Sequence, residues 1–321
     1  MNGIHDVLAP AGPQAAALFH LWNVMLMACV LVLALTLGTL AFVLWRASRA
    51  DRQMAPDLQA RPEEDARLQR RIAYGVAGSA LSLLVLLFAS FFTDRALSGL
   101  PLEDAVHIDL VARQYWWEAS YEAHDPGLRF TTANELHVPV GRPVVLRLRS
   151  ADVVHSFWVP SLTGKKDLIP GRESTLALRA DRAGVYRGQC AEFCGYQHAH
   201  MALVVVAEPA AEFERWLGGQ RRPAATPSSA QAQRGLALFE QGSCAMCHTI
   251  AGTRARGRQA PDLTHLASRS SLAAGTLANT AEGRTQWIVN PQKFKPGVDM
   301  PACDALPDDV AALSAYLGSL H

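Results

Sequence analysis

Two long stretches without a single charge, Leu21–Trp45 and Ile72–Thr93, restrict this chain more than any other feature of it. Each meets the ~20 residues that an α-helix needs to cross a bilayer. A core helix of a soluble protein rarely stays free of charge for so many turns. Trp22 and Trp45 bracket the first run, as interfacial aromatics do. That run is too long, and starts too far into the chain, for a simple cleaved leader, so an uncleaved anchor is expected. The apolar tail before His20 has no Lys or Arg, whereas the connector carries Arg46, Arg49, Arg52, Arg61, Arg67, Arg70 and Arg71. The positive-inside rule puts the connector in the cytoplasm and both chain ends outside.

After Pro101 the pattern changes. Short β-branched segments, Leu136–Val140, Val144–Arg149, Thr175–Arg179 and Leu203–Val206, alternate with Gly and Pro punctuation. Many short strands with turn signals between them predict an all-β sandwich or barrel. Gly218–Ser229 reads GGQRRPAATPSS, a linker composition that predicts limited freedom for the C-terminal segment beyond it. The expected organisation is multidomain: a tail and two-helix transmembrane hairpin over 1–95 (helices about 20–46 and 71–93), an all-β domain over 96–218, a linker over 219–231, and an all-α domain over 232–321. The net charge of +1 gives no basic excess for nucleic acid.

Four of the six cysteines form two close pairs, Cys190/Cys194 and Cys244/Cys247, each with histidine nearby, which favours metal or cofactor chemistry over a disulfide scaffold. Cys29 is expected to pack within its apolar run, and Cys303 has no evident partner. The stretch CAEFCGYQHAHM, 190–201, holds Cys190, Glu192, Cys194, His198 and Met201, and His155 stands on a loop upstream. Soft thiolate and thioether donors with imidazoles suit copper, zinc or iron–sulfur chemistry. A structural zinc site closes with four ligands. Two Cys, two His, one Met and a backbone carbonyl near Glu192 exceed four, and suit two ions bridged by thiolates. His200 lies outside the spacing and is expected at the surface.

The second pair sits in Cys244-Ala245-Met246-Cys247-His248, the Cys-x-x-Cys-His spacing of c-type haem attachment. A thioredoxin-like redox pair would want a βαβ context, and a zinc site a second Cys pair. Leu236 and Phe239 lie on an amphipathic stretch before the motif. Val310, Leu313, Leu317 and Leu320 recur at helical spacing at the C-terminal end, after Pro307, Asp308 and Asp309.

His155-Ser156-Phe157-Trp158 together with the 190–201 stretch resembles subunit II of the haem–copper respiratory oxidases. The resemblance implies a cupredoxin-like domain holding the dinuclear copper centre CuA. In it Cys190 and Cys194 bridge, His155 and His198 bind one copper each, and Met201 and the Glu192 carbonyl are axial. It implies that the Glu192 carboxylate faces a magnesium ion shared with subunit I. Gln114-Tyr115-Trp116-Trp117 is similar to the family's electron-input run, although Tyr115 stands where Trp is usual, and 164–172 is similar to a loop that meets the catalytic subunit. Residues 232–321 resemble a class I cytochrome c. This implies one covalent haem c on Cys244 and Cys247, His248 as proximal ligand, Met300 as distal ligand with His265 its rival, Pro261 orienting the proximal ring, Trp287 at the haem, and terminal helices packed together. The combination resembles a caa-type cytochrome c oxidase subunit II. It implies a bacterial inner (plasma) membrane location, an external cytochrome c as donor, and a partner subunit I that reduces dioxygen. The alternatives are the same relay in a CuA-type nitric oxide reductase and a non-catalytic copper-binding assembly protein.

Overall fold

The computed structural model describes residues 4–49, 62–123 and 125–321. Arg52 and Arg61 of the connector lie outside these. The chain divides into two units, 17–99 and a second made of 1–16 with 100–321.

The first unit is the hairpin. Helix α1 spans Pro13–Ser48 and α2 spans Pro62–Leu97, with mean hydropathy of 2.6 and 2.1 in their most apolar windows. Both run past the expected 20–46 and 71–93. Their polar ends remain helical: Pro13 takes the first position of α1, where a missing N–H costs nothing, and Glu63, Glu64 and Asp65 face the positive start of α2. Cys29 is exposed on α1 rather than packed, because none of the apolar window of that helix is buried.

In the second unit, residues 4–16 belong with the β domain rather than with the hairpin. Ile4 pairs with Tyr186, and the Ala11 N–H donates to the Ser161 carbonyl at 2.7 Å. The strands run β1 Val106–Arg113, β2 Trp116–Tyr121, β3 Phe130–Ala133, β4 Glu135–Pro139, β5 Val144–Ser150, β6 His155–Trp158, β7 Lys166–Leu168, β8 Ser174–Leu178, β9 Gly184–Cys190 and β10 Ala202–Glu208. They form two five-stranded sheets, ordered β3-β2-β1-β5-β8 and β4-β10-β9-β6-β7. Alternate residues of β5 (Val144, Leu146, Leu148) and β1 (Ile108, Leu110, Ala112) turn inward. With Trp117 and Phe157 they fill the interior of a cupredoxin-like sandwich. Removing each such Leu from water is worth about 1.5–3 kcal/mol.

Helix α3, Ala210–Gln220, closes the sandwich with buried Phe213 and carries the chain into the span expected to be a linker. That span is tied down more firmly than its composition suggests. Arg221 Nε donates to the Leu128 carbonyl, the Ala224 N–H to Ala251 and Gln233 Nε2 to Pro227, while the Arg222 carbonyl faces His265.

The haem-motif domain is built on α4 Ala230–Gln241, α5 Cys244–Cys247, α6 Ala281–Val289 and α7 Pro307–Leu317. A two-residue hairpin, β11 Ser271–Leu272 with β12 Leu277–Ala278, and an isolated bridge between Thr249 and Arg256 depart from an all-α domain. Helices α4 and α7 pack together as expected. Phe239 meets Tyr316 edge-on at 6.0 Å, and a Cβ on Gly235 would lie 2.1 Å from the Ala312 carbonyl oxygen, so only glycine allows the approach.

The sandwich and this domain share a bonded seam. The Ala202 N–H donates to the Ala274 carbonyl at 3.1 Å, Gln197 Nε2 to the Pro296 carbonyl at 2.8 Å, and Lys295 Nζ to the Tyr115 carbonyl at 2.8 Å. The Ser270 N–H and hydroxyl both donate to Glu135 Oε2, at 3.0 and 2.7 Å.

Candidate functional site

Strand β9 ends on Cys190 and β10 begins at Ala202, so the two strands fix both ends of the 191–201 loop. The Cys190 N–H donates to the Met201 carbonyl at 2.9 Å, and the Ala191 N–H donates to Ser156 of β6 at 2.9 Å. His155 opens β6 instead of lying on a loop, and this sets its ring against the thiols. The two sulfurs lie 3.8 Å apart. Cys190 Sγ is 3.8 Å from His155 Nδ1 and 3.2 Å from the Glu192 carbonyl. Cys194 Sγ is 3.6 Å from His198 Nδ1 and 3.9 Å from Met201 Sδ. Cys190, Cys194, His155 and Met201 are almost fully buried. His200 is exposed and bonded to Gln197, apart from these donors. The Glu192 side chain is exposed.

The donor chemistry fits a cation. The shared Cys190–Cys194 hydrogen bond holds the Cys190 thiol far below its ordinary value and pushes Cys194 up. Two thiols this close both ionise only with positive charge beside them. Gaps of 3.6–3.9 Å between donors leave room for ions bonded to each at roughly 2.0–2.3 Å.

Residues outside the motif complete the site. Asp152 accepts from His155 Nε2 at 2.7 Å and so leaves Nδ1 turned to the thiols. Gln114 Nε2 donates to the Cys194 carbonyl at 2.7 Å. Gly195 has φ 119°, and a Cβ there would lie 2.6 Å from the Tyr115 hydroxyl oxygen. Gln114 and Tyr115 form the turn between β1 and β2, Trp116 and Trp117 open β2, and the aromatics of this run diverge. Tyr115 lies on the copper-motif loop, its hydroxyl accepting the Tyr196 N–H at 3.1 Å. Trp117 points into the sandwich, edge-on to His155 at 6.3 Å. Tyr115 and Trp116 face the cavity of the neighbouring domain.

That cavity, about 700 Å³, brings together Cys244, Cys247, His248, Trp287, Met300 and Cys303. His248 Nδ1 donates to the Pro261 carbonyl at 2.7 Å, which fixes the tautomer with Nε2 unprotonated. Burial lowers the His248 pKa and keeps the ring neutral, as a metal ligand requires. The buried Nε atoms of Arg269 and Arg284 have no partner, and both side chains line the cavity. Unpaired buried donors here suit the carboxylates of a prosthetic group. His265 is spent elsewhere, its Nδ1 against the His321 carbonyl and its Nε2 against Arg222. Met246 is 70% exposed.

The 164–172 loop holds Lys165, Lys166 and Asp167 exposed. Asp152, Arg269 and Arg284 belong to no motif, and only the fold brings them to the two sites.

Residues 121–208 match the family described as cytochrome c oxidase subunit II, periplasmic domain, and residues 232–321 match cytochrome c. A cytochrome c oxidase subunit 2 of Alkalihalophilus pseudofirmus is 30% identical over 324 aligned residues, covering 98% of this chain and 90% of that one. That of Bacillus subtilis is 35% identical, covering 63% of this chain and 58% of its own. A solved periplasmic domain of subunit II of cytochrome oxidase from Bradyrhizobium japonicum aligns at TM-score 0.35 and 27% identity, over 38% of this chain and 97% of that one. The two matched domains imply copper and haem c as cofactors, and the fused arrangement is that of caa-type oxidases. The chain belongs to the cytochrome c oxidase subunit 2 family, as subunit II of a haem–copper oxidase with its own cytochrome c domain, a form that fits electron input to a partner subunit I.

Proposed function

We propose that Cys190 and Cys194 bridge two copper ions as CuA. His155 and His198 would each hold one ion, with Met201 and the Glu192 carbonyl as the further, weaker donors. The observation that carries this is the pair of buried sulfurs 3.8 Å apart, flanked by one imidazole each. Cys244 and Cys247 attach one haem c, His248 and Met300 ligate its iron, and Pro261 orients His248. His/Met ligation raises the haem potential, as an electron carrier needs. When bound, these groups supply the one-electron chemistry by which an external cytochrome c reduces this subunit and subunit I reduces dioxygen to water.

The chain's own residues do the rest. Asp152 holds the His155 ring in one tautomer. Gln114 and Tyr115 grip the ligand loop and limit its movement when charge changes. The sandwich interior excludes water from the sulfurs. The exposed Glu192 carboxylate faces outward, where it helps hold a magnesium ion shared with subunit I. Tyr115 and Trp116, at the haem cavity, are the aromatic contacts between the two centres.

Residues 4–16 share one unit with 100–321, so the two ends of the hairpin serve one compartment. With the arginine-rich connector cytoplasmic, that compartment is the periplasmic or extracytoplasmic side of a bacterial inner membrane. The test is purification in mild detergent with oxygen uptake driven by reduced cytochrome c. Co-purification of subunit I, with uptake lost in Cys190→Ser, is expected. Undiminished uptake in that variant would overturn the assignment.

A further inference from the structure

Lys295 is 2% exposed, although its side chain ends in an amine. It sits five residues before Met300, lines the haem cavity, and donates across the seam to the Tyr115 carbonyl at 2.8 Å. Its second acceptor is the Ala273 carbonyl at 3.2 Å, within its own domain. The same short segment reaches the copper-motif loop directly, through the Pro296 carbonyl that accepts from Gln197 Nε2, next to His198.

The partner turn is strained. Ala273 and Ala274 have φ 53° and 54°, in the left-handed region, followed by Gly275 at 84°. An L-residue with a Cβ is strained there, and such strain persists only where the surroundings over-determine it. Both alanine carbonyls are used at the seam, Ala273 by Lys295 and Ala274 by the Ala202 N–H. Leaving a lysine dry is itself unfavourable unless its amine is bonded. A burying aliphatic residue would pack at 295 without that cost.

We propose that Lys295 is a positioning residue for electron transfer within this subunit: it clamps the Met300 loop and the Ala273 turn of the haem domain onto the Tyr115 carbonyl, holding the haem cavity permanently docked on the copper-motif loop. The clamp is continuous on the copper side. Tyr115 itself accepts the Tyr196 N–H through its hydroxyl, and its neighbour Gln114 holds the Cys194 carbonyl. Transfer across this seam then requires no domain movement. The inference rests on the proposed copper and haem sites, and its first readout needs neither cofactor.

The experiment uses the intact detergent-purified complex, with Lys295→Met and, at the other end of the seam, Ser270→Ala. Hydrogen exchange at the Ala202 amide reports docking whether or not metal is bound. Lys295→Met is expected to lose protection there, and Ser270→Ala to lose less. Photoreduction of the haem then gives the internal transfer rate. It is expected to be independent of viscosity in the unsubstituted protein. In Lys295→Met it falls about tenfold or more and becomes viscosity-dependent, as expected when reacting groups lose their fixed geometry. The optical haem spectrum and copper content stay unchanged. Unaltered Ala202 protection and an unaltered, viscosity-independent rate in Lys295→Met would overturn the proposal. If Lys295→Met does not assemble, an unprotected Ala202 amide or a viscosity-dependent transfer rate in the unsubstituted complex overturns the proposal instead. Absent copper or haem in the unsubstituted complex contradicts the cofactor assignment instead.

Discussion

The Asp152 carboxylate accepts from His155 Nε2 at 2.7 Å, and the ring's other nitrogen, Nδ1, faces Cys190 Sγ at 3.8 Å. Asp152 also accepts the backbone N–H groups of Gln114 at 2.6 Å and Val153 at 2.7 Å, so one carboxylate fixes both a ligand ring and the turn that grips the ligand loop. Removing such a partner commonly costs about 10–100-fold in metal affinity. Asp152→Ala is therefore expected to bind copper that much more weakly in chelator competition. Affinity equal to that of the parent would show that the ring needs no such support.

Gly235 is a packing requirement of the haem domain. Alanine would gain about 1 kcal/mol in helix propensity. Its Cβ, however, would meet the Ala312 carbonyl oxygen at 2.1 Å, which is backbone and cannot rotate away. Separating α4 from α7 is expected to cost about 1–3 kcal/mol. Urea unfolding followed through the haem-domain signal should show Gly235→Ala as a net loss. A midpoint at or above the parent's would contradict the close packing.

A pH response is expected from His137, which lies between Glu135 and Glu208 and stacks on Trp216 at 4.1 Å. Burial lowers the pKa of this imidazole, but its bonds to the two carboxylates outweigh that and raise it above the ordinary 6.5. Burial also works against ionised Glu135, yet bonds to His137 and Ser270 bring it below its ordinary 4.5. The raised His137 contributes stability that is complete below pH 6.5 and lost as pH climbs through its folded value. The lowered Glu135 contributes stability present above pH 4.5 and lost on acidification. The stability difference between the parent and His137→Gln should thus be greatest between those values and shrink on the alkaline side. A difference that is flat with pH would contradict the assigned sign.

Met201 and His248 separate the two centres. Met201→Leu is expected to shift the copper potential while both coppers stay bound, as the weak-donor role proposed for this thioether, 3.9 Å from Cys194 Sγ, requires. Loss of all copper in that variant would contradict this. His248→Ala should remove the low-spin haem spectrum and leave copper content intact. Concurrent loss of copper would show that the copper site depends on the haem.

Much of this architecture was legible in the sequence because its signals are local. A charge-free run, a Cys-x-x-Cys-His turn and the 190–201 ligand spacing need no tertiary context. His155 was legible as an upstream imidazole on a loop, and its place at the start of β6 reflects its pairing with Leu168. The remaining features depend on distant partners. Lys295 meets Tyr115 across 180 positions, and Ser270 meets Glu135 across 135. No periodicity marks such pairs. Residues 4–16 looked like a tail because a short segment that borrows its hydrogen bonds from the Tyr186 strand has no pattern of its own. The 219–231 linker reads as a segment of limited freedom by composition, and several of its groups, among them the Ala224 N–H and the Arg222 carbonyl, are bonded to neighbours that only the fold supplies. Tyr115, which stood in place of the usual Trp, is explained by its hydroxyl: it accepts the Tyr196 N–H, a bond that an indole cannot make because its nitrogen only donates.

The central claim is that Cys190 and Cys194 bridge a dinuclear copper centre beside an attached haem. Copper and haem quantification on the purified full-length subunit, joined to its electron paramagnetic resonance spectrum, tests it most directly. Two coppers per covalent haem are predicted, sharing one unpaired electron across both nuclei. One readily exchanged copper with a single-nucleus spectrum would contradict the claim.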